Sequence, residues 1–369
     1  MRLHSLQLIN FRNYKERTWE FGPDSVVLYG PNGIGKTNIL EAVYVATVGR
    51  SYRTTETADL IRFGAEEAGI ILQFTKKDTP QKITIRLAAK GRKDIRLNGN
   101  ALSQRELIGT LNTVLFCPED LQLIKGSPQQ RRRFIDMEIS QTSATYYHQL
   151  SLYNRALQQR NRLLKEYAGQ RSVPLLEWDE QLATGAAYLV KKRLESIKKL
   201  NLLIDLMNRR LTGGKENLQL RYEQPYSAQG PVTDKDAFLQ LLQESLPRDR
   251  ARFTTSVGPH RDDLGFFAGP VDLKKYGSQG QQRTAVLSLK LSELEFIKSE
   301  VGEYPLLLLD DVLSELDKER RANLLHFIHN RVQTFITTTD SEDMTGLSPA
   351  MLIACREEVT ADDRTNDAP

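Results

Sequence analysis

The amino-acid sequence predicts an α/β fold interrupted by a mostly helical inserted domain, and three observations carry that prediction. A short apolar run, Val26-Val27-Leu28-Tyr29, leads straight into a glycine-rich loop and then into a helix-forming stretch. A second buried-strand signal, Leu306-Leu307-Leu308-Leu309, ends in the acid pair Asp310-Asp311. Between the two, from Ser127 onward, apolar residues recur at helical spacing. At 369 residues the chain is long enough to bury a sizeable core in two or three domains. We expect an N-terminal lobe over 1–125, a helical insertion over 126–250, a C-terminal lobe over 251–355, and a polar, disordered tail over 356–369.

The elements follow in order. Residues 2–9, 14–21 and 25–30 read as three strands, the first alternating apolar and polar side chains. A helix is expected from Lys36 to about Val48. Strand character returns over 69–102, with Asn98-Gly99 as a hairpin turn. Ser127-Pro128 has the form of an N-cap followed by proline at the first helical position. Tyr146, Leu150, Tyr153, Leu157 and Leu164 mark one helix. Val190, Leu194, Ile197, Ile204 and Leu211 mark a second, across the turn-rich connection 168–174. Two such stripes predict an antiparallel helical hairpin. Beyond Gly213-Gly214 a strand is expected near 218–222, and the last third alternates helix and strand.

Composition narrows the class. No run of eighteen apolar residues exists, and the N-terminus lacks the apolar stretch of a secretory signal. Cys117 and Cys355 form no CxxC and no disulfide framework, so a reducing, cytoplasmic setting fits. A formal charge of +4 does not establish nucleic-acid binding. Local clustering is more telling: residues 127–211 hold fifteen Lys/Arg against eight Asp/Glu, including Lys191-Lys192-Arg193 and Lys198-Lys199. That excess predicts a basic surface suited to DNA phosphates without sequence reading.

The chemistry lies in three motifs. Gly30-Pro31-Asn32-Gly33-Ile34-Gly35-Lys36-Thr37 fits G-x-x-x-x-G-K-[ST] between a strand and a helix. Its glycines let backbone amides converge on phosphate oxygens at a helix N-terminus, so the loop predicts ATP binding. Lys36 is expected to pair with the terminal phosphates and Thr37 to ligate Mg²⁺. Asp310, at the C-terminal end of the leucine strand, is placed to hold the same Mg²⁺ through water. Third, Gly277-Ser278-Gln279-Gly280-Gln281-Gln282-Arg283 opens a helix shortly before that strand.

This last segment resembles the ABC signature loop, and Ser314-Glu315-Leu316-Asp317 resembles the D-loop of the same class. The order of motifs is similar to that of an SMC-like ABC ATPase head, while only about 125 residues separate its halves, too few for an SMC arm. Three further segments resemble the RecF family of bacterial DNA-repair proteins. They are Asn10-Phe11-Arg12-Asn13-Tyr14; the stretch from Phe116-Cys117-Pro118-Glu119-Asp120 to Arg131-Arg132-Arg133-Phe134-Ile135-Asp136; and Gly258-Pro259-His260-Arg261-Asp262-Asp263-Leu264.

The resemblance implies an ATP-dependent DNA-binding protein of replication and SOS-linked gap repair. It further implies an ATP-driven homodimer that loads recombinase with RecO and RecR and hydrolyses ATP weakly. It assigns Asp311 as general base, where most ABC ATPases use Glu, with Lys36 beside it, and assigns Ser278, Gly280 and Gln281 to the γ-phosphate of a partner subunit's nucleotide. The strand 335–340 carries no switch histidine; Thr339 or Asp340 stands in its place. Pro118-Glu119-Asp120 occupies the region of the Q-loop, its assignment open. Arg131-Arg132-Arg133 either contacts DNA or forms a solvated helix face; His260 either reaches nucleotide or makes a structural hydrogen bond; Arg12 either touches ATP or lies on the surface. The competing functions are a transporter ATPase subunit and a nuclease-associated ATPase.

Overall fold

A computed structural model describes residues 1–23, 25–91, 93–214, 217–339 and 350–355. The chain forms two compact units. The first comprises Met1–Leu107, Leu111–Pro118 and the described residues from Pro305 on; the second comprises Ile108–Thr110 and Glu119–Tyr304.

In the first unit, β1 (Arg2–Phe11), β2 (Tyr14–Glu20), β3 (Ser25–Tyr29) and α1 (Lys36–Val48) come first. Then follow β4 (Glu67–Lys76), β5 (Thr79–Ala88), β6 (Asp94–Leu97), β7 (Asn100–Ala101), α2 (Gln104–Leu107) and β8 (Thr113–Phe116). An antiparallel sheet has the order β2-β1-β4-β5-β6-β7. Asn98 (φ 50°) and Gly99 (φ 86°) make the tight turn between β6 and β7, both in the left-handed region that such a hairpin requires. In β1, Leu3, Leu6, Leu8 and Phe11 are buried; a register shift against β4 between Leu3 and Ser5 breaks the alternation.

The second unit contains α3 (Gln122–Lys125), α4 (Pro128–Thr142), α5 (Ala144–Glu166), α6 (Leu176–Thr212), β9 (Leu218–Glu223) and α7 (Lys235–Arg252). It continues with β10 (Asp263–Ala268), β11 (Val271–Asp272), α8 (Leu273–Tyr276) and α9 (Gln279–Val301). The chain then returns to the first unit through β12 (Leu306–Asp310), α10 (Lys318–Ile328), β13 (Thr334–Thr338) and β14 (Ala350–Ala354).

The second sheet of the first unit is parallel throughout, in the order β14-β3-β13-β12-β8. Strand β12, flanked by β13 and β8, is buried at every residue, as the leucine run requires of a strand covered on both faces. Helix α1 packs against β1, β4 and β5 and against β8, β12 and β13. It therefore lies between the two sheets, which explains why its apolar residues run all round it.

In the second unit α5 and α6 pack as the expected hairpin, and β11-β10-β9 form a small antiparallel sheet. Tyr146, Tyr153, Leu164, Val190, Ile197, Ile204 and Leu211 are buried along the predicted stripes, whereas Leu150, Leu157 and Leu194 are only partly covered. Helix α9 packs on α6 and α4, so residues 251–304 belong with the helical unit rather than with a separate C-terminal lobe. Asp340 and the tail from Arg356 lie outside the described residues.

Candidate nucleotide site

The phosphate loop leaves β3 at Tyr29 and enters α1 at Lys36, with Gly30, Gly33 and Gly35 at φ 147°, 84° and 108°. At Gly35 a side chain is excluded twice over, because a Cβ would come 2.6 Å from Asn13 Nδ2 and 2.9 Å from the Tyr14 hydroxyl. Those two residues brace the loop from the β1–β2 turn. Asn13 Nδ2 donates to the Ile34 carbonyl (3.0 Å), Tyr14 to that of Gly35 (3.2 Å), and Asn38 Nδ2 to Asn13 Oδ1 (2.9 Å).

Pro31, Asn32 and Gly33 form an exposed crest, while Lys36 is buried beneath it. Lys36 Nζ donates to the carbonyls of Gly30 (2.6 Å) and Pro31 (2.8 Å). Burial lowers its ammonium below the usual lysine value, opposed by Cys355, Asp311 and Asp310.

Asp310 ends β12 with its carboxylate buried among hydroxyls. Its Oδ1 accepts from Thr37 (2.8 Å) and Thr337 (2.9 Å), and its Oδ2 from Tyr52 (2.7 Å). Burial, and then the Asp310 charge, push the Tyr52 phenol far above its ordinary range, so it stays a neutral donor. The next residue, Asp311, is exposed at φ 54°, with its amide held by Thr337 Oγ1 (2.8 Å).

The Thr37 hydroxyl and the Asp310 carboxylate are hard oxygen donors brought to one point. That set suits Mg²⁺, which is commonly bound by one or two carboxylates together with phosphates. Among the described residues no cluster of three or more His, Cys, Asp or Glu offers a different metal site.

Two residues of this region escape sequence reasoning. Glu41, wholly buried on α1 one turn past Thr37, accepts from Arg12 (2.6 and 2.8 Å), Ser51 (2.5 Å) and Arg53 (3.2 Å). A lone carboxylate in an apolar helix, four residues after the loop threonine, was its only signal. Tyr52 had none. Arg12 is neither free on the surface nor aimed outward: besides Glu41, it donates to the Asp59 carbonyl (2.7 Å).

In the second unit, Ser278 caps α9 with a reciprocal box. Its hydroxyl accepts from the Gln281 amide (3.2 Å), and Gln281 Oε1 accepts from the Ser278 amide (2.9 Å). Ser278 and Gln279 are exposed and Gly280 partly so. In the first unit, Asp317 caps α10 by accepting from the Arg320 amide (2.8 Å), and the Ser314 hydroxyl donates to the Asp311 carbonyl (2.8 Å).

The basic excess divides. Arg131 is buried in a two-pronged pair with Asp263 (2.7 and 2.9 Å), so it belongs to neither a DNA-contacting nor a solvated face. Arg132 donates to the Asp262 carbonyl (2.6 Å), and only Arg133 of the triplet is exposed. Arg193, expected on the basic surface, is also buried, against Asp136. Lys191, Lys198 and Lys199 do lie exposed, Lys199 paired with Glu300.

His260 takes the structural role. Its Nε2 faces the Thr255 carbonyl (3.1 Å) and so carries the proton, leaving Nδ1 to accept from the Tyr153 hydroxyl (2.6 Å). Burial depresses its pKa to about 4.

Comparison with known proteins gives the family and the fold. The family model described as RecF/RecN/SMC N terminal domain matches residues 2–360. The DNA replication and repair protein RecF of Alkaliphilus oremlandii is 46% identical over 353 residues, 95% of this chain and 96% of that protein. That of Staphylococcus carnosus is 44% identical, over 93% of this chain and 94% of its own. A solved structure described as the recombination mediator protein RecF-ATP in the RecFOR pathway superimposes with a TM-score of 0.87 at 35% identity, covering 93% of each chain. An SMC head bound to the C-terminal winged-helix domain of ScpA shares the fold at a TM-score of 0.58 and 17% identity.

Proposed function

Since this chain belongs to the RecF family and has the fold of an ABC-type, SMC-like ATPase head, we propose that it is an ATP-switched DNA-binding protein of recombinational repair. The observation that carries this reading is the convergence of Lys36, Thr37 and Asp310 beneath an exposed glycine loop.

In this mechanism Lys36 exchanges its two carbonyl partners for the terminal phosphates, and the loop and α1 amides line the remaining oxygens. Thr37 and Asp310 would hold Mg²⁺, which when bound neutralises phosphate charge. Asp311 orients the attacking water and accepts its proton. Without a switch histidine, turnover is slow. Ser278, Gly280 and Gln281 receive the γ-phosphate of nucleotide held by a second copy, so ATP joins two chains face to face.

The dimer closes on DNA in the cytoplasm, using exposed lysines such as Lys191 and Lys198 for phosphate contacts. With RecO and RecR it helps load recombinase at gaps during replication and the SOS response.

Sedimentation with and without ATP, each with and without DNA, tests the switch. Ser278→Arg tests its trans geometry: the variant is expected to bind ATP as a monomer and to fail to dimerise. Loss of ATP affinity in that monomer would overturn the face-to-face mechanism.

A further inference from the structure

The two oxygens of the Asp310 carboxylate are held unequally. Oδ1 accepts two hydroxyls, those of Thr37 and Thr337, whereas Oδ2 accepts only Tyr52 among the described residues. Rotation of an aspartate carboxylate about its last bond is soft, with broad minima. The two oxygens lie on opposite sides of that bond, so the Tyr52 donor on Oδ2 restrains the rotation from the side opposite Thr37 and Thr337.

Tyr52 is itself fixed from both sides. Ser51 Oγ donates to Glu41 (2.5 Å) and Arg53 Nη1 to the same carboxylate (3.2 Å), while the Tyr52 ring meets Tyr44 edge-to-face at 5.4 Å. Thr37, Glu41 and Tyr44 stand at i, i+4 and i+7 on α1, one face of the helix. The face that presents the loop threonine thus also anchors the turn that delivers the Tyr52 hydroxyl to Asp310. The contacts close a ring: Thr37, Glu41, Ser51 and Arg53, Tyr52, Asp310, and Thr37 again.

We propose that Tyr52 is a positioning residue for the Mg²⁺-holding pair, its hydroxyl fixing the Asp310 carboxylate so that Oδ1 stays turned to Thr37. This rests on the reading of Thr37 and Asp310 given above.

Tyr52→Phe keeps the ring against Tyr44 and removes only the donor. ATP affinity is titrated across a MgCl₂ series and in EDTA, and Mn²⁺ binding in the presence of ATP is followed by electron paramagnetic resonance. The Mg²⁺ concentration for half-maximal enhancement of ATP binding is expected to rise about three- to tenfold, the worth of one hydrogen bond. Affinity in EDTA should match wild type, the nucleotide-free protein should still unfold cooperatively with a melting temperature lowered by only a few degrees, and excess Mg²⁺ should restore ATP binding. A merely structural loss would not be rescued by the metal.

An unchanged Mg²⁺ requirement in Tyr52→Phe would overturn the proposal. If the melting curve shows that Tyr52→Phe does not fold, Ser51→Ala, which loosens the same turn, decides by the same criterion. Asp310→Asn separates the two levels. Should it respond to Mg²⁺ as wild type does, the reading of the nucleotide site falls, and the Tyr52 proposal with it. Should it lose the response while Tyr52→Phe keeps it, only the role of Tyr52 falls.

Discussion

Lys36 and Arg193 are both buried cations, and the two regions that hold them treat the charge differently. Lys36 donates to two backbone carbonyls, neutral groups that a phosphate can replace at little loss. Arg193 donates twice to Asp136 (2.9 and 3.0 Å), once to the Pro259 carbonyl (2.8 Å), and lies 4.0 Å from Asp262. Arg160, on the other helix of the hairpin, is shared between Asp179 (2.6 Å) and Asp249 (2.8 Å). At the candidate nucleotide site the ammonium is held by neutral carbonyls; in the hairpin the guanidinium groups are paired with carboxylates within the fold. A basic excess in a helical insertion is therefore no measure of a basic surface until the buried pairs are subtracted.

The largest effect that can break this contrast is in the hairpin. Arg193→Met leaves Asp136 and Asp262 without their cation and should cost about 3–5 kcal/mol of stability. Urea denaturation measures it, and a midpoint equal to wild type would show that the pair is not structural. Lys36→Met is the counterpart. It should lower ATP affinity roughly tenfold to a hundredfold, a charge-assisted contact worth about 1.5–3 kcal/mol, while leaving the urea midpoint nearly unmoved. Equilibrium nucleotide titration reads the first quantity.

A third test sharpens the comparison through pH. Glu138 on α4 is buried near Glu293, Lys290 and Asp120, and burial, opposed by Lys290, raises its pKa from 4.5 to about 7. The folded protein thus keeps a proton that the unfolded chain gives up, so this group's contribution is full below pH 4.5 and is lost as pH rises to about 7. Glu138→Gln removes that loss. Its stability relative to wild type should improve by about 1–3 kcal/mol between pH 4.5 and 7.5, in denaturant titrations at each pH. A constant difference across that range would mean that Glu138 titrates normally. The smallest effect belongs to the exposed side of the hairpin: Lys191→Ala should leave the melting temperature within about 2 °C of wild type, as thermal denaturation will show.

How much of this was legible before the structure depended on sequence distance. The phosphate loop, the strand before it and helix α1 are determined by contiguous residues, since turn sterics and helix capping act within a few positions. The same holds for the Asn98-Gly99 turn, the leucine strand, and the caps of α4 at Ser127 and α9 at Ser278. Local patterning also marked both helices of the hairpin.

It did not distinguish an arginine that faces water from one that meets a distant carboxylate, because in sequence the two are the same residue. Arg131 finds Asp263 132 positions away, and Tyr52 finds Asp310 258 positions away. Only the tertiary structure decided those pairings, as it decided that α9 joins the helical unit and that β1 shifts register against β4. Each depends on which distant segments the chain topology brings together, and burial, by removing water as a competing partner, makes those meetings obligatory.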